Sequence, residues 1–257
     1  MSDTLSAESI SSGLDTRIIG RNVLYYSSVT STNEAAKEEA ERRAVEGTVV
    51  VADKQTAGRG RLKRTWLSPE GNIALSIVLY PEKRILPSLV MMTSLAVSHS
   101  IEMITGLETQ IKWPNDILIS GKKVCGILIE SGVRDEKIMF TVIGIGINVN
   151  AGKDILAGVQ VPATSLYLET GKEVSRIQII KELLTDMEEL YETMKLGGSV
   201  FCEWRDRLVT LGKDVRVTSG KEVFEGVAES VDTDGCLLVR SPDGSLNRVV
   251  AGDVTLR

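Results

Sequence analysis

Within six residues, from Arg59 to Arg64, the chain places three arginines and a lysine, with glycines at 58 and 60 and Trp66 just beyond. No apolar period runs through this stretch, so burial in a helix or strand does not account for its composition. Glycine lets a backbone approach a ligand closely and turn its N–H groups toward it. Arginine presents a planar, permanently charged fork that matches the oxygens of a phosphate or a carboxylate. The pattern suits a loop that closes over an anion, although a solvated basic turn or a nucleic-acid patch has the same composition. Its charges have no partner inside the motif, so the loop is expected to stay mobile until an anion orders it.

Such a loop acts only if ordered elements hold other groups against it. Residues 22–28, rich in Val, Leu and Tyr, read as a strand that stops at Ser31-Thr32-Asn33. These are capping types, and residues 34–44 read as the helix they open. One cap needs one such residue, which leaves the others for a small polar or anionic ligand at the helix N-terminus. Residues 48–52 form a buried strand leading to Gln55, and residues 72–80 a second. Residues 87–105 make a helix apolar nearly all round, closed by Gly106. After Lys112-Trp113-Pro114-Asn115-Asp116, residues 117–119 and 124–130 pair as a hairpin, with Lys123 entering its second strand. The strand at 137–149 contains Gly144 and Gly146, which mark close approach of backbone or ligand. Ser175 opens an amphipathic core helix, and a short helix at 199–210 carries Trp204. From residue 214 onward, turn sequences divide the chain into four or five short strands, the pattern of a small β-barrel.

With 257 residues, 42% of them hydrophobic and 25% charged, the chain can build one large domain or a domain with an appendage. A net charge of −5 argues against a general nucleic-acid coat. Cys125, Cys202 and Cys236 form no CxxC pair, which suits a reducing cytosol and disfavours structural zinc. The single histidine, His99, lies in an apolar helical run and reads as a satisfied core position. No apolar stretch is long enough to span a bilayer. Residues 1–13 lack an apolar segment of signal type and read as a frayed tail, so a cytoplasmic location is expected.

Five motifs follow one another: Ser31-Thr32-Asn33, Gln55 with Gly58 to Trp66, Lys112 to Asp116, Lys123 with Gly126-Ile127-Leu128, and Gly146-Ile147-Asn148. Together they resemble the biotin–protein ligases, from about residue 20 to the end of the sequence. Lys63 departs from the family pattern, standing where a loop glycine is common. Some twenty leading residues are too few for the winged helix-turn-helix of repressor-type members, so DNA repression is not expected.

The resemblance implies an α/β (α+β) architecture. A flexible tail (1–20) would precede a catalytic domain of class II aminoacyl-tRNA-synthetase type with a mixed sheet (21–210) and an SH3-like barrel (211–257). It implies ATP-dependent activation of biotin as biotinyl-5′-AMP, then transfer to a lysine of the biotin carboxyl carrier protein. Biotin and ATP would be substrates, with Mg²⁺ carried by ATP, near Asp116, rather than by a built-in metal site. Carboxylate and polyphosphate repel by about 4 kcal/mol for unit charges 4 Å apart at an effective dielectric of ~20, so cations must offset this.

By the same resemblance Ser31, Thr32, Asn33 and Gln55 would bind the ureido ring. Gly58, Arg59, Gly60, Arg61, Lys123 and Gly126 would enclose the carboxylate and α-phosphate. Arg59, Arg64, Trp66, Lys112, Asn115, Asp116 and Asn148 would bind the nucleotide, with Lys123, Arg59 and Asp116 catalytic. Trp66 and Trp113 also read as core aromatics, and Lys123 as a surface hairpin lysine like Lys122. A lipoate or octanoate acyltransferase and a nucleic-acid-binding module are the rival functions. A homodimer is expected, with the strand at 137–149 extending a sheet across subunits, and neither nucleic acid nor membrane as partner.

Overall fold

The structure, a computed structural model, describes residues 3–158 and 161–256. After α1 (Ala7–Ser11) the first sheet begins with β1 (Val23–Tyr26), which α2 (Thr32–Glu41) links to β2 (Val49–Ala52). The elements β3 (Ile73–Leu79), α3 (Leu89–Thr105), β4 (Gln110–Lys112), β5 (Asp116–Ile119), β6 (Lys122–Arg134) and β7 (Lys137–Ile147) follow. The strands lie in the order β1-β2-β3-β7-β6-β5-β4, with β1 and β2 parallel and the other pairs antiparallel. This is the mixed sheet expected from the sequence. Strand β7 is interior, hydrogen-bonded to β3 and β6, so the edge role expected for residues 137–149 is corrected.

Alternation along the strands assigns each side chain to a face. Val49, Val51, Ile73, Leu75, Ile77, Ile143, Ile145 and Ile147 enter the main core with α3. Helix α6 (Arg176–Lys195), reached after α4 (Lys153–Leu156) and α5 (Leu166–Thr170), packs into the same core. The intervening residues Val50, Val78 and Val142 meet Ala36 and Ala40 of α2 on the opposite face. Two-sided burial is why these strands read as nearly continuous apolar runs. Beyond α7 (Phe201–Asp206), the strands β8 (Asp214–Ser219), β9 (Glu222–Val231), β10 (Leu237–Arg240), β11 (Leu246–Val249) and β12 (Asp253–Leu256) form an antiparallel sheet. Its order is β11-β10-β9-β8-β12, and Val215, Ala228 and Leu237 join the main core. No helix among the described residues is long and apolar enough to cross a membrane.

The expected frayed tail is a second correction, apart from residues 1–2, which lie outside the described residues. Ser6 and Ser9 close a capping box on α1, while Leu5 and Ile10 are buried. Asp3 accepts from Arg176 Nε at 2.7 Å, and the buried Glu188 accepts from the N–H groups of Ile18 and Ile19 at 2.7 and 2.8 Å. The buried apolar residues Leu5, Ile10, Leu14 and Ile19 are too sparsely spaced to show a period. His99 is satisfied as expected, though at the rim of the core, with one ring nitrogen 2.8 Å from Asp186 and the other 2.7 Å from Glu203.

Candidate active site

The face of the sheet that carries α2 is bare at its centre. Register aligns Ala74, Gly146 and Gly126 in one row across β3, β7 and β6, and Ser76, Gly144 and Leu128 in the next. Three residues with almost no side chain leave a floor on which a ligand can lie. A cavity of about 880 Å³ stands over it, and all the predicted site residues except Gly58 line it. A Cβ on Gly58 would come within 2.5 Å of the Trp66 carbonyl oxygen, so Gly58 packs the base of the loop instead.

At one end stand Ser31, Thr32 and Asn33, all buried at the start of α2. The capping expectation is corrected here: Ser31 makes no side-chain cap bond, and Gln55 Oε1 accepts the Thr32 N–H at 2.8 Å instead. An N–H can only donate, so the Gln55 oxygen must face it and its NH₂ group is turned elsewhere as a donor. Ser76 Oγ lies 2.8 Å from Thr32 Oγ1 and 2.6 Å from Asn33 Oδ1. Donors and acceptors without net charge are what a neutral cyclic amide or urea requires.

The basic loop crosses the cavity, and Arg59 and Arg64 have carboxylate partners outside the motif, which corrects the expectation of unmatched charge for those two. Arg59 Nη1 lies 3.2 Å from Glu34, and Arg61 Nη1 donates to Asn115 Oδ1 at 2.9 Å. Arg64 grips Asp253 of β12 through two bonds of 2.5 and 3.0 Å. Arg64 holds the Asp253 carboxyl below its ordinary range, aided by Lys112 and Arg61. Burial disfavours the charge on Arg61, and Asp116 and Asp253 partly restore it. The chain reverses at Leu62, an exposed residue in left-handed conformation (φ 55°).

Which lysine enters the site is decided by a β-bulge. Ile117 pairs with Cys125 and Leu118 with Lys123, so β6 carries one extra residue, Val124. A bulge reverses the alternation beyond it and re-aims the side chains. Lys123 therefore joins Gly126 on the site face, with Nζ 2.5 Å from Asp116 Oδ1 and 5.4 Å from the Trp66 ring centroid. Lys122 turns away to Glu169, at 2.5 Å. Trp66 lies against the glycine row: a Cβ on Gly146 would meet its Nε1 at 2.3 Å. Trp113 is core, giving its N–H to Thr210 and its indole N–H to Gly235.

Asn115 and Asn148 line the cavity but spend amide groups on the protein. Asn115 Nδ2 donates to Ile127 O at 2.7 Å, and Asn148 Nδ2 to Thr164 O at 3.0 Å. Sequence reasoning missed Asp253 and Asn72, which also line the site, and Ser76, which supports Thr32 and Asn33 from behind. Only Ser76 had a signal, a hydroxyl at an inward position of an apolar strand. Asp116 and Asp253 are the carboxylates that line the cavity, and the described residues hold no cluster of three His, Cys, Asp or Glu.

Residues 25–148 match the model of the biotin/lipoate A/B protein ligase family, and residues 210–257 that of the biotin protein ligase C terminal domain. The bifunctional ligase/repressor BirA of Bacillus subtilis is 37% identical over 258 residues, covering 98% of this chain and 79% of that protein. The biotin–[acetyl-CoA-carboxylase] ligase of Paracoccus denitrificans is 32% identical over 204 residues, covering 76% and 85%. A solved structure of the biotin protein ligase from Aquifex aeolicus, in complex with biotin and ATP, superposes with a TM-score of 0.77 at 32% identity, covering 92% of this chain and 99% of that one.

Proposed function

We propose, from the premise that the chain belongs to the biotin/lipoate A/B protein ligase family, that it is an ATP-dependent biotin–protein ligase of the cytoplasm. One observation carries this: a neutral donor–acceptor cluster and a set of cations face each other across a single glycine-floored cavity. The ureido ring sits against Thr32, Asn33 and Gln55, with its carboxylate toward Arg59, Arg61 and Lys123. That carboxylate attacks the α-phosphate of ATP, forming biotinyl-5′-AMP and releasing pyrophosphate. The lysine amine of a biotin carboxyl carrier protein then attacks the acyl carbon and expels AMP. Lys123 and the loop arginines offset the repulsion between the anions and follow the charge as it moves. Trp66, Lys112 and Asn148 stand on the nucleotide side, and Arg64 is held there by Asp253. Asp116 holds Lys123 in place. Both cavity carboxylates are already paired with cations, so a Mg²⁺ carried by ATP would take most of its ligands from phosphate and water. The test is pyrophosphate release from Mg·ATP by the purified chain: biotin should elicit it, whereas lipoate and octanoate should not. Release with lipoate or octanoate in place of biotin would assign the site to adenylation of a fatty acid, and no release with any of them would reject the ligase reading.

The homodimer belongs to the same reading but needs a different edge. Strand β5 covers β6 only as far as Gly126, and Ile127 N–H still bonds to Asn115 O. Farther out, residues 128–134 have a strand partner on the β7 side alone. Two copies pair these edges about a two-fold axis, continuing the sheet. Sedimentation with biotin and ATP should give the mass of two chains at micromolar concentration, and a one-chain mass rejects the dimer.

A further inference from the structure

Glu130 lies on the site face of β6, one row outward from Leu128, opposite Val142 of β7. Nothing in the reaction above uses it. Its Oε2 accepts from Asn33 Nδ2 at 2.7 Å, and its Oε1 from Lys37 Nζ at 2.7 Å. Lys37 also lies 3.1 Å from Glu34, the partner of Arg59. Burial raises the Glu130 carboxyl, but the bonds from Asn33 and Lys37 outweigh it and hold the group below the usual carboxylate range.

An ionised carboxylate only accepts hydrogen bonds. The Asn33 amide must therefore turn its NH₂ toward Glu130 and its carbonyl oxygen the other way. That oxygen lies 2.6 Å from Ser76 Oγ, against the bare backbone of Gly144, where an added Cβ would approach it to 2.0 Å. An amide oxygen has two lone pairs, and Ser76 engages one of them. Asn33 and Thr32 both line the cavity, where a ligand N–H can reach the second lone pair.

We propose that Glu130 is a positioning residue for ligand recognition, locking the Asn33 amide so that its oxygen serves as acceptor for a ring N–H of the cyclic urea. The inference rests on the biotin reading of the cavity. Without the lock only the longer bond from Asn33 Nδ2 to Leu128 O, at 3.4 Å, resists turning the amide over, which would set its N–H groups against those of the ligand. Lys37 keeps the lock anionic.

The test measures biotin binding by calorimetry without ATP, and the Michaelis constant for ATP by pyrophosphate release. Glu130→Ala should weaken biotin binding about tenfold, the loss of one charge-assisted hydrogen bond, and leave the ATP constant within about twofold. Asn33→Asp, which sets two carboxylates against each other, should weaken binding at least as much. Combining Asn33→Asp with the isosteric Glu130→Gln should restore binding to within about threefold of wild type, because the acceptor faces the ligand again and the donor–acceptor pair is merely exchanged. A residue that only supported the fold would give no such rescue, and thermal unfolding of each variant confirms that it is folded. Wild-type affinity in Glu130→Ala, or a double variant no better than Asn33→Asp, overturns the inference while the function stands. A wild-type protein that binds no biotin overturns both.

Discussion

Replacing Lys123 by alanine is expected to slow formation of biotinyl-5′-AMP by about 10²–10³-fold, the usual loss for one preorganised charge. In the adenylation step two anions must meet, and the charge passes from a carboxylate to a phosphorus-bound oxygen. Lys123 is held for this by Asp116 Oδ1 at 2.5 Å and by the bulge at Val124. Its backbone is fixed too, with the N–H on Pro162 O and the carbonyl on Thr164 N–H, both at 2.9 Å. Removing the ammonium leaves the ureido end intact, so biotin should still bind. Lys122→Ala breaks only the partly exposed pair with Glu169, worth at most about 1 kcal/mol of stability. It should form the adenylate at close to the wild-type rate. Single-turnover measurement of the adenylate decides the matter: two variants that both match wild type would remove Lys123 from the mechanism.

Gly146→Ala should lower adenylation by about 10- to 100-fold, through displacement of Trp66. The new methyl group would lie 2.3 Å from the indole Nε1 and 2.5 Å from Cε2. A rigid aromatic ring cannot relieve such contacts by bending, and β7 is fixed on both sides by its neighbours. Overpacking of this kind costs about 1–3 kcal/mol, which the loop meets most readily by moving the ring off the sheet. The loss should fall mainly on the Michaelis constant for ATP, with a shift in tryptophan fluorescence. Gly152→Ala is the control, since that site is open for 4 Å around the added carbon. An unchanged ATP constant in Gly146→Ala would show that the ring does not serve the nucleotide.

Much of this was legible from the order of residues. Apolar runs bounded by turn residues located the strands, because a strand buried on both faces must be apolar along its length. Gly106 ended its helix in left-handed conformation as expected of a glycine there. Loop composition suited an anion site but equally a solvated basic turn or a nucleic-acid patch, and only the order of the five motifs favoured the first. The ligand-holding types at Ser31 to Asn33, Gln55, Lys112 to Asp116 and Lys123 were all visible, and the structure gathers them around one cavity.

Other features depend on distances in space that no local pattern records. Register is a pairing between strands far apart in sequence, so the row Ala74, Gly146 and Gly126 exists only once β3, β7 and β6 are hydrogen-bonded. A single extra residue, Val124, set the parity that brings Lys123 inward and Lys122 outward, and composition is blind to parity. Asp253 reaches Arg64 across 189 residues, and Glu130 reaches Asn33 across 97. Charges cannot be matched along a sequence when the attraction that pairs them acts only after folding brings them within a few ångströms.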